Sequence, residues 1–378
     1  IIYNQIYKEI KRIVMAITLI DLMRELIERK GSDLHIIAGL RPAIRIDGKL
    51  TPLENYEVLS AKRSKELIFS ILSGSQKMLF ESDKDNKYEL DFGYGIENMG
   101  RFRFNVYMQK GTVAAAIRAL GDKIPNIEDL GLPESIRDFA KEKRGLILVT
   151  GPTGSGKSTT LAALIGLINQ TRMDHIITIE DPIEFIHKSD KSYVTQREVG
   201  LDTLSYKKAL KYALRQDPDV ILIGEMRDYE TIGIALTAAE TGHLVLGTLH
   251  TSGATQTIGR IIDVFPPSQQ AQIQTQLALN LVGIISQILL PRIDRTGRCM
   301  ACEIVKVNPA IRNNIRTNKA EAIYQTIQTS KAEGMITMDN ALINLYKEGI
   351  IDFETAQPYI HNKSTYETMK SNKMMGNF

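Results

Sequence analysis

The stretch Leu146-Ile147-Leu148-Val149-Thr150-Gly151-Pro152-Thr153-Gly154-Ser155-Gly156-Lys157-Ser158-Thr159 runs from an apolar strand through a glycine-rich turn into a helix-forming segment. It fits G-x-x-x-x-G-K-[ST], the pattern of a phosphate-binding loop. Glycines let such a backbone curl until successive N–H groups face one anion. A helix predicted over 157–170 adds the positive end of its dipole to those donors. Lys157 is expected to reach the β- and γ-phosphates. Ser158 is expected to place its hydroxyl on Mg²⁺, a hard cation that takes oxygen ligands. The residues from Gly151 to Thr159 are therefore the candidate nucleotide-binding set, with ATP and Mg²⁺ as the ligands implied.

Around this loop, strands alternate with helices. Gly145–Thr150, Ile176–Ile179, Val220–Ile223 and Leu244–Thr248 read as strands, and 157–170, 205–215 and 229–241 as helices. That succession predicts an α/β domain with a largely parallel sheet. Beyond Pro266-Pro267 the pattern is mostly helical, interrupted by a strand around Ala301–Val307. Upstream the pattern is different. A helical stripe covers 18–30, with helical spacing again over 61–80. Short runs at Leu34–Ile37 and Ala43–Ile46 precede Asp47-Gly48, a hairpin signal. Tyr88–Phe92, Arg101–Tyr107 and Thr112–Arg118 read as further strands. The expected organisation is a small α+β domain over 15–118, a linker over 119–126, an ATPase domain over 127–363 and a frayed tail over 364–378.

The composition excludes several classes. The 378 residues suit two or three domains. Lys+Arg 47 against Asp+Glu 44 leaves +3, and the basic residues do not cluster, which argues against nucleic acid as a partner. Two cysteines suit a reducing cytoplasm and no disulfide framework. The charge-free stretch Val264–Pro291 carries too many Gln and Asn to face lipid, so no transmembrane segment is expected. Lys8, Lys11 and Arg12 precede the apolar run Ile13–Ile20, but no small-residue cleavage site comes after it. Met15 is the expected start, with residues 1–14 an upstream extension.

Acidic and histidine positions complete the candidate site. The strand Val220–Ile223 leads through Gly224 to Glu225, which would face the metal or its bound water; an Asp is usual where Gly224 stands. Ile176-Ile177-Thr178-Ile179 leads to Glu180, Asp181 and Glu184, and one of these acids is expected to polarise the attacking water. So much like charge at one strand end calls for cations in the cleft. His243 and His250 flank the strand from Leu244 to Leu249, and His250 is placed as a phosphate sensor.

These ordered motifs resemble the type IV pilus retraction ATPases of the twitching-motility group, within the secretion and pilus-assembly ATPase superfamily. Gly31-Ser32-Asp33-Leu34-His35, Arg45-Ile46-Asp47-Gly48 and Gly100-Arg101-Phe102-Arg103 carry the likeness upstream. The phosphate loop, Thr178–Glu184, Leu214–Asp219, Gly224–Asp228 and Thr241–Thr251 carry it downstream. The resemblance implies a PAS-like N-terminal domain, a RecA-like ATPase domain and a homo-hexameric ring. It also implies a cytoplasmic motor that sits at the inner face of the membrane and drives an inner-membrane pilus platform protein. Glu184 matches the water-activating base and Glu225 the atypical Walker B acid. His243 and His250 match the histidine box. Arg101, Arg103 and Arg118 upstream, and Arg215 and Arg227 downstream, are candidates for arginines that reach nucleotide, a contribution of about 10³–10⁵ in rate. Cys299 and Cys302 form one C-x-x-C pair, which cannot close a tetrahedral zinc site alone. Pro309–Arg316 resembles a motif associated with retraction, but Asn314 and Thr317 depart from it. An assembly or secretion motor of the same superfamily, or a non-hydrolysing nucleotide-binding module, stands as the alternative.

Overall fold

The computed structural model describes residues 17–46, 48–82, 88–97, 99–121, 124–295 and 297–374. The expected extension over 1–14, the start at Met15, Asp47 of the hairpin turn and the last residues of the tail, 375–378, lie outside the described residues. The chain divides into two units, Ile1–Asp122 and Lys123–Phe378.

The first unit opens with α1 (Leu19–Glu28), whose buried Leu19, Leu22, Met23 and Leu26 recur at helical spacing. Thr18 and Asp21 close a capping box at its start. Next come strands β1 (Asp33–Ile36), β2 (Ala43–Ile46) and β3 (Lys49–Pro52). The helical spacing over 61–80 is split between α2 (Ala61–Phe69) and α3 (Gly74–Glu81). The split falls where Ser73 starts a new helix by accepting a hydrogen bond from the Gln76 amide at 3.2 Å. Strands β4 (Glu89–Ile96), β5 (Gly100–Gln109) and β6 (Thr112–Ala119) complete an antiparallel sheet in the order β3-β2-β1-β6-β5-β4. Phe80, Phe102 and Phe104 are fully buried in its core.

The second unit begins with β7 (Gly145–Thr150), α4 (Lys157–Thr171), β8 (His175–Glu180), β9 (Tyr193–Glu198), α5 (Tyr206–Ala213) and β10 (Val220–Ile223). It continues with α6 (Tyr229–Glu240), β11 (Leu244–Leu249), α7 (Ala254–Asp263), α8 (Pro267–Asn280), β12 (Leu281–Pro291) and β13 (Arg298–Lys306). The sheet order is β13-β12-β7-β11-β10-β8-β9, parallel except for β13. Every residue of β7 is buried, as its unbroken apolar run requires of a central parallel strand. Helix α4 packs on one face, and α6, α7 and α8 on the other. Val220 pairs with both Ile176 and Leu244, and Leu244 pairs with Gly145. The four parallel strands therefore end together, and their carboxyl ends share the edge where open α/β sheets bind ligands.

The remaining elements are α9 (Pro309–Arg316), α10 (Ala320–Thr329), α11 (Met338–Lys347), α12 (Phe353–Ala356) and α13 (Lys363–Met374). Among the described residues no helix is long and apolar enough to cross a membrane.

Three sequence expectations need correction. The pattern after Pro267 predicts helix up to about Ala301, yet β12 occupies Leu281–Pro291. An apolar run of that length does not declare its period, and the β-branched Val282, Ile284, Ile285 and Ile288 favour a strand once β7 and β13 flank it. Strand β9, an edge strand with an exposed Tyr193, has no counterpart in the sequence expectation. The segment expected as a frayed tail forms α13, with Met369 buried in a cluster that includes Leu342 and Phe353. Cys299 and Cys302 are free thiols three residues apart on β13, so they point to opposite faces. Burial pushes the Cys302 thiol up to about 12.

The loop from β8 to β9 is tied down by the buried Asn169 of α4. Its side chain donates to the Lys188 carbonyl at 2.8 Å and accepts from the Asp190 amide at 3.0 Å. His187 in this loop is buried, and burial pushes its pKa down to about 4. The unfolded chain takes up that proton near pH 6.5, whereas the folded chain resists it until about pH 4. This contribution is complete above pH 6.5 and is lost as pH falls toward 4, by on the order of 3 kcal/mol. Urea titrations across that window should show a flatter pH dependence for His187→Gln than for the parent chain. Identical slopes would contradict the assignment.

Candidate nucleotide site

The loop between β7 and α4 is built on three glycines in left-handed backbone, with φ of 143° at Gly151, 76° at Gly154 and 88° at Gly156. Pro152, Thr153 and Gly154 form its exposed rim, whereas Ser155 and Lys157 are buried. Ser158 and Thr159 lie in the first turn of α4. The Lys157 ammonium donates to the carbonyl oxygens of Gly151 at 2.8 Å and Pro152 at 3.0 Å. Burial lowers its pKa, and the charges of Glu225 and Glu184 work against that shift.

His250 stands just past β11 and touches both charge types. Its Nδ1 is 3.4 Å from Lys157 Nζ, and its Nε2 is 3.0 Å from Glu225 Oε1. An ammonium only donates and a carboxylate only accepts, so the ring accepts at Nδ1 and carries its proton on Nε2. Glu225 is further gripped by Arg227, with Nε 2.6 Å from Oε1 and Nη2 2.7 Å from Oε2. Burial pushes the Glu225 carboxyl upward. The hydrogen bond and charge of Arg227, with His250 and Lys157, outweigh that push and hold it below the usual range.

Gly224 stands where an Asp is usual, in a tight passage of the chain. A Cβ there would lie 3.0 Å from the Tyr206 hydroxyl oxygen and 3.2 Å from Glu180 Cα. Glu180 ends β8, and burial raises its pKa against hydrogen bonds from Thr178 Oγ1 at 2.7 Å and Gln196 Nε2 at 3.3 Å. Glu184 is half-buried, and its carboxylate has no hydrogen bond or ion pair among the described residues. Its charge acts on Lys157.

The strand ends thus bring together Lys157, Ser158, Glu180, Glu184, Glu225, Arg227 and His250. Other candidates are not brought there. His243 is expected at the catalytic site from its motif, but it lies at the amino end of β11, about 20 Å along the strand from His250. Its Nδ1 donates to the Ala238 carbonyl at 2.9 Å, near the end of α6. The parallel register is the cause: one strand cannot deliver both of its flanking residues to the same edge. Arg215 also falls at the far edge, in the turn before β10, where the Asp219 carboxylate receives the His175 amide at 2.8 Å. Arg101, Arg103 and Arg118 lie on the sheet of the first unit. There Arg103 forks onto Asp91 at 2.6 and 3.2 Å, and Arg118 donates to Asp33 at 2.8 Å.

Two contributors escape the sequence reading. Tyr206 places its hydroxyl close to Gly224, and burial raises its pKa. Gln287 on β12 is fully buried under the loop and donates to the Ser155 carbonyl at 2.7 Å. Its available signal is a polar side chain inside the apolar run Ile284–Leu290. Among the described residues no group of three or more His, Cys, Asp or Glu is arranged to hold a metal ion. A Mg²⁺ ion that takes most of its ligands from water and substrate phosphates needs one or two protein oxygens, which the Ser158 hydroxyl in the first turn of α4 can supply.

The chain matches the type II/IV secretion system protein family over residues 10–340. It is 47% identical to the type IV pilus retraction ATPase PilT of Pseudomonas aeruginosa, over 86% of this chain and 93% of that protein. It is 44% identical to a twitching motility protein of Neisseria gonorrhoeae, over 93% and 92%. A crystal structure of the pilus retraction motor PilT with bound ADP aligns at a TM-score of 0.87 and 48% identity, covering 93% of this chain and 100% of that one. With its N-terminal sheet unit and RecA-like nucleotide unit, the chain belongs to the type II/IV secretion system protein family, in the twitching-motility group of pilus retraction ATPases.

Proposed function

We propose that this chain is an ATP-hydrolysing motor that powers type IV pilus retraction, working as a homo-hexamer on an inner-membrane platform protein from the cytoplasmic side. The observation that carries the reading is the chain of contacts from Lys157 through His250 to Glu225 at the mouth of the phosphate loop. A loop that only bound phosphate would not need a histidine of fixed tautomer between its lysine and an acid.

Each side chain then has a task. The amides from Gly154 to Ser158 and the α4 dipole hold the phosphates. Lys157 exchanges its two loop carbonyls for phosphate oxygens. Ser158 would hold Mg²⁺, with Glu225 reaching it only through a bound water, and the ion neutralises phosphate charge when bound. Glu184 orients and deprotonates the attacking water, because its carboxylate is uncommitted. Glu180 is the poorer base, since burial favours its neutral form. Glu225 has both oxygens engaged. His250 reports the state of the phosphates to Glu225 and Arg227. Arg227 has an exposed side chain, but a role toward a neighbouring subunit requires it to leave Glu225. A role in trans for Arg103 or Arg118 requires each to leave its aspartate.

Retraction is favoured over assembly by the near-complete coverage of the retraction relatives. A non-hydrolysing module is disfavoured by the acids Glu184 and Glu225 and by His250 beside the loop lysine.

Lys157→Ala should abolish steady-state phosphate release with an unchanged circular dichroism spectrum; retained turnover would refute the site. Glu184→Gln should bind ATP within about threefold of the parent chain while turnover drops about 10²–10⁴-fold. Loss of ATP binding would make Glu184 a structural residue. His250→Ala should slow hydrolysis, whereas His243→Ala should leave ADP affinity within about twofold. A fall in ADP affinity well beyond twofold in His243→Ala would contradict its placement at the far edge.

A further inference from the structure

We propose that Gln287 is a positioning residue for the phosphate loop: strand β12 supports the loop's anion-binding curl through this side chain. The inference rests on the loop being the nucleotide site. Register places Gln287 directly beneath it, since Ser286 pairs with Thr150, the last residue of β7, and Gln287 comes next. Its Nε2 donates to the Ser155 carbonyl at 2.7 Å, and both residues are buried. Among the described residues nothing else donates to that carbonyl by a side chain.

Gln287 also meets two of the loop glycines. A Cβ on Gly151 would collide with the Gln287 carbonyl oxygen, and a Cβ on Gly156 would lie 3.2 Å from Gln287 Nε2. Gly151 is therefore set by the backbone of β12, whereas at Gly156 the neighbour is the far end of the Gln287 side chain itself. Glycine freedom is an entropic cost that an anion must meet on binding unless another contact meets it beforehand. Lys157 meets part of it through the Gly151 and Pro152 carbonyls, and Gln287 is the contact that meets it at Ser155. It fixes Ser155 between Gly154 and Gly156, so the amides already converge before the anion arrives.

A filler role and a positioning role differ in what rescues them. Gln287→Met keeps the volume and loses the donor. Gln287→Glu keeps the shape and donates only when protonated, and burial raises the pKa of such a carboxyl. The measurement is MgADP affinity by calorimetry, as the ratio of each variant to the parent chain, from pH 8 to pH 6. The Met variant should bind about five- to tenfold more weakly at every pH. The Glu variant should be at least as weak at pH 8 and recover toward the parent as pH falls. Should the Met variant not fold, Gln287→Asn, which keeps the amide but withdraws it by one methylene from the Ser155 carbonyl, decides in its place by the same affinity loss, because relief of the carboxylate's own repulsion could also restore the Glu variant. Parent-like affinity in the Met variant, or a Glu deficit that is the same at all pH values, overturns the proposal. A parent chain that binds no MgADP instead overturns the nucleotide-site reading beneath it.

Discussion

The buried ammonium group of Lys157 is the interaction on which the rest of the site turns. It sits at the turn between β7 and α4, where burial weakens its hold on its proton. Two carbonyl oxygens of its own loop and the nearby acids Glu225 and Glu184 keep the positive charge there. The same charge lets several carboxylates crowd one sheet edge. Glu225 is held ionised by Arg227, His250 and Lys157, while Glu180 is buried toward its neutral form. Neighbouring acids pushed in opposite directions can take different roles in one reaction.

Geometry delivers these groups. Four parallel strands in register end at one edge, and each contributes the residues just beyond its carboxyl end. These are the phosphate loop after β7, the acidic segment after β8, Glu225 after β10 and His250 after β11. Gly224 is part of that delivery. The chain passes so near Tyr206 and Glu180 that a side chain there would be crowded. The passage at Gly224 is thus tight where an Asp is usual, and Arg227 and His250 occupy the Glu225 oxygens.

Much of this is legible in the sequence, for identifiable reasons. The phosphate loop declares itself because only glycines permit its backbone and because an apolar strand and a helix flank it. The α/β alternation from β7 to β11 is legible because buried parallel strands are unbroken apolar runs. Strand β12 is not, since Leu281–Pro291 comes directly after a helix and its own period is ambiguous. Losing β12 also hides Gln287, whose meaning depends on the strand beneath the loop. His243 and Arg215 are misplaced by motif order, which says which residues belong together in a family, not which edge of a sheet each one reaches. The acids stand out as a group, but their division of labour depends on partners such as Gln196 and Arg227 that only the fold supplies.

The most direct test of the central claim is the position of Lys157 Nζ in a structure of the protein with a non-hydrolysable ATP analogue and Mg²⁺. The account requires Nζ within about 3 Å of β- and γ-phosphate oxygens, released from the Gly151 and Pro152 carbonyls. A triphosphate bound elsewhere, with Nζ still on those two carbonyls, would contradict it.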